Sequence, residues 1–177
     1  MVNQHFYDDI LVPIKKDHAK DLFSHIFQSK ILDTIQWDGP KSIDDLTNGF
    51  AARELEMAKG NIHQFTIIDP QTHKPAGSID IRLENNMYRA DIGLWIGESF
   101  QGQGLGTKAV KKITKYGFDI LKLEKIEASI FVGNLSSRAV FERCGYSLEG
   151  TIRFKTKKYG KLVDEWLFGI TKPEFEE

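Results

Sequence analysis

Apolar residues follow two rhythms along the chain, one helical and one alternating. Ile10-Leu11-Val12-Pro13 is a short apolar run, and Pro13 marks its end or a sheet edge. Leu22, Phe23, Ile26 and Phe27 then recur at three- and four-residue spacing, which predicts a helix over about 18–27. Ser42 with Asp45 resembles a capping box with Asp in place of Glu. A second helix is expected to start there, with Leu46, Phe50 and Leu55 on its buried side. Strands are expected over 64–69, 76–83 and 89–97. Asp69-Pro70-Gln71-Thr72 joins the first two, because proline presets φ and Asp69 accepts local hydrogen bonds. Glu84-Asn85-Asn86 turns the chain into the third. In that strand Ala90, Ile92, Leu94 and Ile96 share one face, and Asp91, Gly93, Trp95 and Gly97 share the other.

The longest helix is expected over 104–121. Leu105, Ala109, Val110, Ile113, Gly117, Ile120 and Leu121 form its apolar stripe, and Lys108, Lys111, Lys112, Lys115 and Asp119 its wet side. A strand over 125–132 leads to a helix over 135–144, with Gly145 as a left-handed cap. Strands over 147–152 and 162–170 close the chain as a hairpin turned at Tyr159-Gly160. The order β-α-α-β-β-β-α-β-α-β-β is a mixed α/β layout, in which an antiparallel meander feeds one β-α-β crossover.

Composition adds boundaries. The chain has 177 residues, 41% hydrophobic and 28% charged, which fits a single soluble globular domain over 1–177. The formal net charge of -1 gives no footing for nucleic-acid binding. Residues 1–90 carry 10 Lys and Arg against 13 Asp and Glu, and residues 91–177 carry 14 against 12. Arg153, Lys155, Lys157, Lys158 and Lys161 concentrate that excess, as a solvated strand face or as an anion-binding edge. The lone cysteine, Cys144, cannot staple a fold and reads as a small packed hydrophobe. Met1–Asp9 show neither the basic nor the apolar region of a secretory signal. No apolar run approaches the roughly 20 residues of a membrane span, so a cytoplasmic protein is expected. His18, Asp21 and His25 share a helical face without a further neutral ligand, and no metal site is predicted.

The chemically informative stretch runs from Ile92 to Thr107. A strand passes through Gln101-Gly102-Gln103-Gly104-Leu105-Gly106-Thr107 into a helix. The glycines let the backbone turn its N–H groups toward one point, and the free donors of the first helical turn make an anion site suited to a phosphate or diphosphate. It is a poor P-loop, because Lys108 comes one position late. It is also a poor dinucleotide fingerprint, because Thr107 stands where the third glycine belongs and Glu127 lies too early in its strand. Asn134-Leu135-Ser136-Ser137 begins the next helix. A parallel crossover brings that point beside the glycine-rich turn.

Gln101-x-x-Gly104-x-Gly106 resembles the acyl-CoA motif of the GNAT superfamily of N-acetyltransferases. The elements from Ile92-Gly93-Leu94-Trp95 through Asn134-x-x-Ser137 to Arg143-x-Gly145-Tyr146-x-x-Glu149-Gly150 are similar to its RimJ/RimL branch, which acetylates protein N-termini and small amines. The likeness is strongest over 90–170. It implies a GNAT fold: a central, mostly antiparallel sheet with a splayed parallel pair formed by the fourth and fifth strands, and about four helices. It implies that the amides of Gln101, Gly102, Gln103, Gly104, Gly106 and Thr107 hold the diphosphate of acetyl-CoA. The edge of Leu94, Trp95 and Ile96 would pair with pantetheine, Asn134 would bond the pantetheine arm, and Arg143 would reach the phosphates or stand as a surface cation.

The implied reaction is direct attack of an amine on the acetyl thioester. Many superfamily members place a Tyr acid seven residues after the Asn, but that position is Phe141 here, so the acid role falls to Ser137. The base is Asp91 or Glu127, acting through water, with Glu127 also a candidate at the substrate. Thr156 stands near the place where some RimL-like sequences carry a glutamate. Trp37, between the first two helices, is a substrate-contact candidate or a core aromatic. The expected partners are acetyl-CoA and an amine acceptor, foremost a protein N-terminus, with no membrane or nucleic acid. A homodimer stays open. Polyamine acetylation and a non-catalytic acyl-CoA-binding module are the alternatives.

Overall fold

The computed structural model describes residues 10–84 and 88–176. Seven strands form one sheet in the order β1-β2-β3-β4-β5-β7-β6. In chain order these are β1 (Leu11–Pro13), α1 (Ala19–Ile26), α2 (Ile43–Ala58), β2 (Ile62–Ile68), β3 (Pro75–Leu83) and β4 (Arg89–Ile96). Then follow α3 (Leu105–Asp119), β5 (Lys125–Phe131), α4 (Leu135–Arg143), β6 (Ser147–Lys158), β7 (Lys161–Thr171) and α5 (Lys172–Glu176). Only β4 and β5 run parallel; every other pair is antiparallel. This is the mixed sheet expected of a GNAT fold, with α5 as an added helix. The expected turn at Asn85-Asn86 lies outside the described residues. Among the described residues no helix is long and apolar enough to cross a membrane.

The sheet has two unlike faces. On one, Phe65, Ile67, Ile79, Ile81, Ala90, Ile92, Ile126 and Ala128 pack against Ala109, Val110, Ile113 and Tyr116 of α3. Alternation carries this: each apolar residue of β3 and β4 is separated from the next by one facing away. The predicted stripe of α3 is buried, but its face is wider than expected and also takes in Thr114, Tyr116 and Phe118. On the other face, a smaller cluster of Ile14, Ala19, Leu22, Leu46 and Phe50 packs with Trp95 under α1 and α2. Leu55 departs from its expected place. It is 69% exposed, because it lies on the helix face opposite Leu46, Phe50 and Met57.

Local signals behave as their chemistry requires. Ser42 Oγ accepts the Asp45 N–H at 3.1 Å, while Asp45 Oδ2 accepts from Lys41 N at 2.9 Å rather than from Ser42. Asp69 accepts the Thr72 N–H at 3.0 Å and the Thr72 hydroxyl at 2.6 Å, closing the proline turn. Tyr159 and Gly160 both have positive φ, as a two-residue hairpin turn needs. Strand β6 runs six residues beyond its expected end, through an irregularity at Phe154, whose N–H is held by Asp164 Oδ1 at 2.8 Å.

Gly77 of β3 lets β4 approach unusually closely. A Cβ there would lie 2.3 Å from the Trp95 carbonyl oxygen. Gly77→Ala is therefore expected to destabilise the protein by about 1–3 kcal/mol through overpacking. A urea titration should show a lower midpoint with an unchanged slope. An unchanged midpoint would mean that β4 is free to shift.

Candidate active site

Strands β4 and β5 pair only at Arg89↔Lys125, Ala90↔Ile126 and Asp91↔Glu127. Beyond that point β5 stays with β7 as far as Phe131↔Glu165, and β4 stays with β3 as far as Ile96↔Gly77. From Ile92 onward, the margin of β4 that faces β5 therefore has no neighbouring strand. At its end the chain passes through Gly102 and Gly104, both with positive φ, into α3. Gly104 is the N-cap of α3 and no side chain caps the helix. The N–H groups of Gly102, Gln103, Gly104, Leu105, Gly106 and Thr107 meet no acceptor among the described residues. Converging free donors at a helix N-terminus form an anion cradle.

The parted strands enclose a groove of about 430 Å³. Leu94, Trp95 and Ile96 line it from β4, Gln101, Gly102, Gly104, Gly106 and Thr107 from the turn, and Asn134, Ser137 and Arg143 from α4 and its cap. Gln103 lies just outside, its Nε2 bonded to the Ser99 carbonyl at 3.0 Å. A second cavity of about 440 Å³ lies on the α1–α2 side of the sheet. The two share Ile35, Gln36, Gly93, Leu94 and Trp95, so they meet at the splayed strand.

The sequence profile of the acetyltransferase (GNAT) domain matches residues 10–147. The chain belongs to the GNAT acetyltransferase family. It is 30% identical over 118 residues to p20 of Bacillus licheniformis, named an uncharacterized N-acetyltransferase, covering 66% of each chain. It is 38% identical over 88 residues to YdaF of Bacillus subtilis (strain 168), provisionally named a ribosomal N-acetyltransferase, covering 50% of this chain and 48% of YdaF. The match thus spans about half to two thirds of these curated relatives. RimJ of Mycobacterium smegmatis, solved with a CoA disulfide, shares the fold with a TM-score of 0.86 over 94% of this chain and 83% of RimJ at 22% identity.

Within this GNAT frame, the expected residues divide. Asn134 is the N-cap of α4: its Oδ1 accepts the Ser137 N–H at 3.1 Å and the Ser136 hydroxyl at 3.0 Å. Its Nδ2 donates to the Thr34 carbonyl at 3.2 Å, which leaves one amide hydrogen for the groove. The half-buried Ser137 lines the groove, and no group among the described residues engages its hydroxyl. Phe141 is buried edge-on against Tyr146, at 5.1 Å between ring centroids. The Tyr146 hydroxyl is tied to Thr114 Oγ1 at 2.7 Å, and burial pushes its pKa up, so it stands as a structural group. Burial likewise pushes the Cys144 thiol up to about 11, which suits a packed hydrophobe.

The two carboxylates expected at the reaction lie outside the lining of both cavities. Asp91 is ion-paired with Arg82 across the strands. Burial raises its pKa, against the pull of that guanidinium. Glu127 is held by Lys125 at 2.8 Å, with Arg89 at 3.8 Å. The splay begins just past both residues, which keeps them in the paired part of the sheet. Trp37 is 41% exposed at the rim of the second cavity rather than in the core. Its carbonyl accepts from Lys158 Nζ at 2.7 Å, and the same ammonium pairs with Asp38 at 2.7 Å. The basic segment is thus partly spent on holding the loop that carries Trp37, and Lys155 is engaged by Ser129 and Glu165. Glu165 is wholly buried and accepts from Thr156 Oγ1 at 2.5 Å and from Gln36 Nε2 at 3.2 Å. His18 bonds Thr66 at 2.8 Å, and His25 meets Phe100 edge-on, away from any shared ligand position.

Sequence reasoning missed the lining of the second cavity: Arg53 and Asp45 from α2, and Gln64, Ser78, Asp80 and Arg82 from β2 and β3. The signal was present in β3, where Asp80 and Arg82 alternate with Ile79 and Ile81. The two glycines of the cradle are separable by substitution. A side chain at Gly104 must adopt φ 77°, at roughly 1–2 kcal/mol. A Cβ at Gly106 meets only Val140 at 3.5 Å and Leu94 at 3.7 Å, ordinary contacts. Gly104→Ala should weaken coenzyme A binding about tenfold by calorimetry, given 1.4 kcal/mol per decade. Gly106→Ala should leave it within about threefold.

Proposed function

We propose that this GNAT protein transfers an acetyl group from acetyl-CoA to a primary amine, foremost the α-amine of a protein or peptide N-terminus. The observation that carries the reading is the row of uncapped amides Gly102–Thr107 opening onto the unpaired margin of β4. The diphosphate of acetyl-CoA is an anion of the right kind for those donors. The amides of its pantetheine arm supply the donors and acceptors that an exposed strand margin lacks, as an added strand would. Arg143, exposed and lining the same groove, stands ready for the phosphates near the adenosine.

The thioester then lies where the groove meets the second cavity. The amine nitrogen bonds the acetyl carbon and gives up one proton to water. The carbon–sulfur bond breaks, and the sulfur keeps the electron pair and takes the proton of the Ser137 hydroxyl, which water restores. Positioned proton transfer of this kind contributes about 10²–10⁴-fold.

The lining of the second cavity favours an α-amine over a polyamine. It carries Arg53 and Arg82 alongside Asp45 and Asp80, both signs together. A polyamine brings several positive charges and no oxygen, so it can use the two carboxylates but leaves both guanidinium groups without a partner. A peptide N-terminus brings one ammonium beside a carbonyl oxygen, which a guanidinium can hold.

Release of coenzyme A from acetyl-CoA, measured over a panel of N-terminal peptides and polyamines, tests the reading. Peptides should accelerate release above spermidine. Ser137→Ala should lower kcat by about 10²–10⁴-fold with little change in the KM for acetyl-CoA. Faster turnover of spermidine than of any peptide would make this a polyamine enzyme. Binding of acetyl-CoA with no acceleration by any amine would make it a binding module.

A further inference from the structure

Asp80 carries a carboxylate oxygen without a hydrogen bond, opposite Gly93 where the two cavities meet. Its Oδ1 is shut away from solvent and makes no hydrogen bond among the described residues. The oxygen lies 3.1 Å from an Arg82 nitrogen, at ion-pair distance but off the hydrogen-bonding direction. A buried carboxylate oxygen left in this way is costly unless something else comes to it.

The strand opposite explains how a ligand would reach it. Asp80 of β3 stands directly across from Gly93 of β4. A Cβ on Gly93 would sit 3.1 Å from Asp80 Oδ1 and 3.2 and 3.3 Å from the Arg82 guanidinium. Gly93 lines both cavities, and Asp80 lines the second. The missing side chain leaves only a narrow gap beside the carboxylate, one that a methyl group would fill by displacing Asp80 or Arg82. Asp80's terminal torsion is soft, so rotation brings either oxygen to the cavity.

Charge around the gap points the same way. Arg82 is shared between Asp80 and Asp91, two carboxylates to one guanidinium. That trio carries one excess negative charge. Arg53 and Asp45 of α2 face the same cavity and together add none. Burial pushes the Asp80 carboxyl above the usual carboxylate range, and Arg82 and Arg53 pull it only part of the way back. A carboxylate so raised is a better proton acceptor near neutral pH.

We propose that Asp80, reached from the second cavity beside Gly93, holds the acceptor's ammonium and takes its proton as the nitrogen attacks the thioester. The inference rests on the acetyl-transfer reading. The bound ammonium gives one proton to the Asp80 carboxylate, and the lone pair so freed forms the bond to the acetyl carbon. The nitrogen's second proton leaves to water as the carbon–sulfur bond breaks, and the carboxylic acid returns its own proton to water after the amide leaves. Arg53, across the same cavity, is placed for a carbonyl oxygen beside the α-amine.

The test compares wild type, Asp80→Asn, Asp80→Glu and Gly93→Ala with acetyl-CoA and a peptide that wild type acetylates. Asp91 still holds Arg82 in Asp80→Asn, so the ion pair across the strands is kept. Asp80→Asn should lower kcat/KM for the peptide on the order of 10²–10⁴-fold near pH 7. Its acid limb should move up to the amine's own pKa near 8, since only amine already neutral in solution then reacts. Asp80→Glu should recover part of the rate with the limb restored. Gly93→Ala fills the gap and crowds the carboxylate and the guanidinium beside it, so it should raise the peptide's KM. Acetyl-CoA affinity, read by calorimetry, should be unchanged in all variants. Should Asp80→Asn not fold, the Asp80→Glu and Gly93→Ala results decide alone. An active wild type whose rate and acid limb survive Asp80→Asn, or survive Gly93→Ala, overturns the role of Asp80 and leaves acetyl transfer standing. A wild type that acetylates no amine overturns acetyl transfer itself.

Discussion

The parting of β4 from β5 after Asp91 is the constraint on which the rest depends. Backbone N–H and C=O groups are obligatory hydrogen-bonding groups, and a strand that loses its neighbour must find partners elsewhere. Here β5 keeps its pairing with β7 and β4 keeps its pairing with β3, so the gap between them is held open from both sides. The glycine-rich turn at the end of β4 extends the deficit into the first turn of α3, where no side-chain cap intervenes. Two stretches of unpartnered backbone groups result, joined by the hydrogen-bonded turn Gly97–Gln101. Together they have the alternating polar character of a pantetheine arm at one end and the anion preference of a helix N-terminus at the other.

The unlike faces of the sheet divide the labour. The face under α3 is dry and closely packed and fixes the positions of β4 and of the turn. The face under α1 and α2 has a small apolar cluster beside a polar cavity, with Thr66 and Ser78 buried in it. Helix α2 packs against β2, and α1 against β3. Leu46, Phe50 and Met57 of α2 face this cluster, while Leu55 lies on the outer face of the helix. A cofactor-shaped groove on one side and a polar chamber on the other, joined across Gly93, Leu94 and Trp95, are what a two-substrate transfer requires.

Much of this was legible in the sequence because it is local. Helical spacing located α1 and α3, and Gly145 marked the end of α4. Alternation located β3 and β4. Gly145 capped α4 as its position implied, with φ 88°. The cradle was legible because three glycines in a strand-to-helix turn have few other uses. What escaped depends on pairing between distant segments. Asp80 alternates with Ile79 and Ile81, which places it correctly on the opposite face but cannot say that α2 roofs that face. Its importance comes from Gly93, thirteen residues away in sequence and directly opposite in register. Asp91 and Glu127 looked suited to the reaction for the converse reason. Their strands line the cleft, but the register sets both residues at the last paired position, where Arg82, Arg89 and Lys125 hold them. The short helix α5 was missed because five residues are too few for a periodicity, although Pro173 near its start is a compatible signal.

The most direct test is a titration of coenzyme A into the isotope-labelled protein, followed through backbone amide resonances. The cradle predicts that the amides of Gly102–Thr107 and those along Leu94–Ile96 move together and gain protection from exchange, while Asp80 and its neighbours respond only when an amine is added. Coenzyme A that binds without perturbing the turn, or that fails to bind at millimolar concentration, would contradict the account.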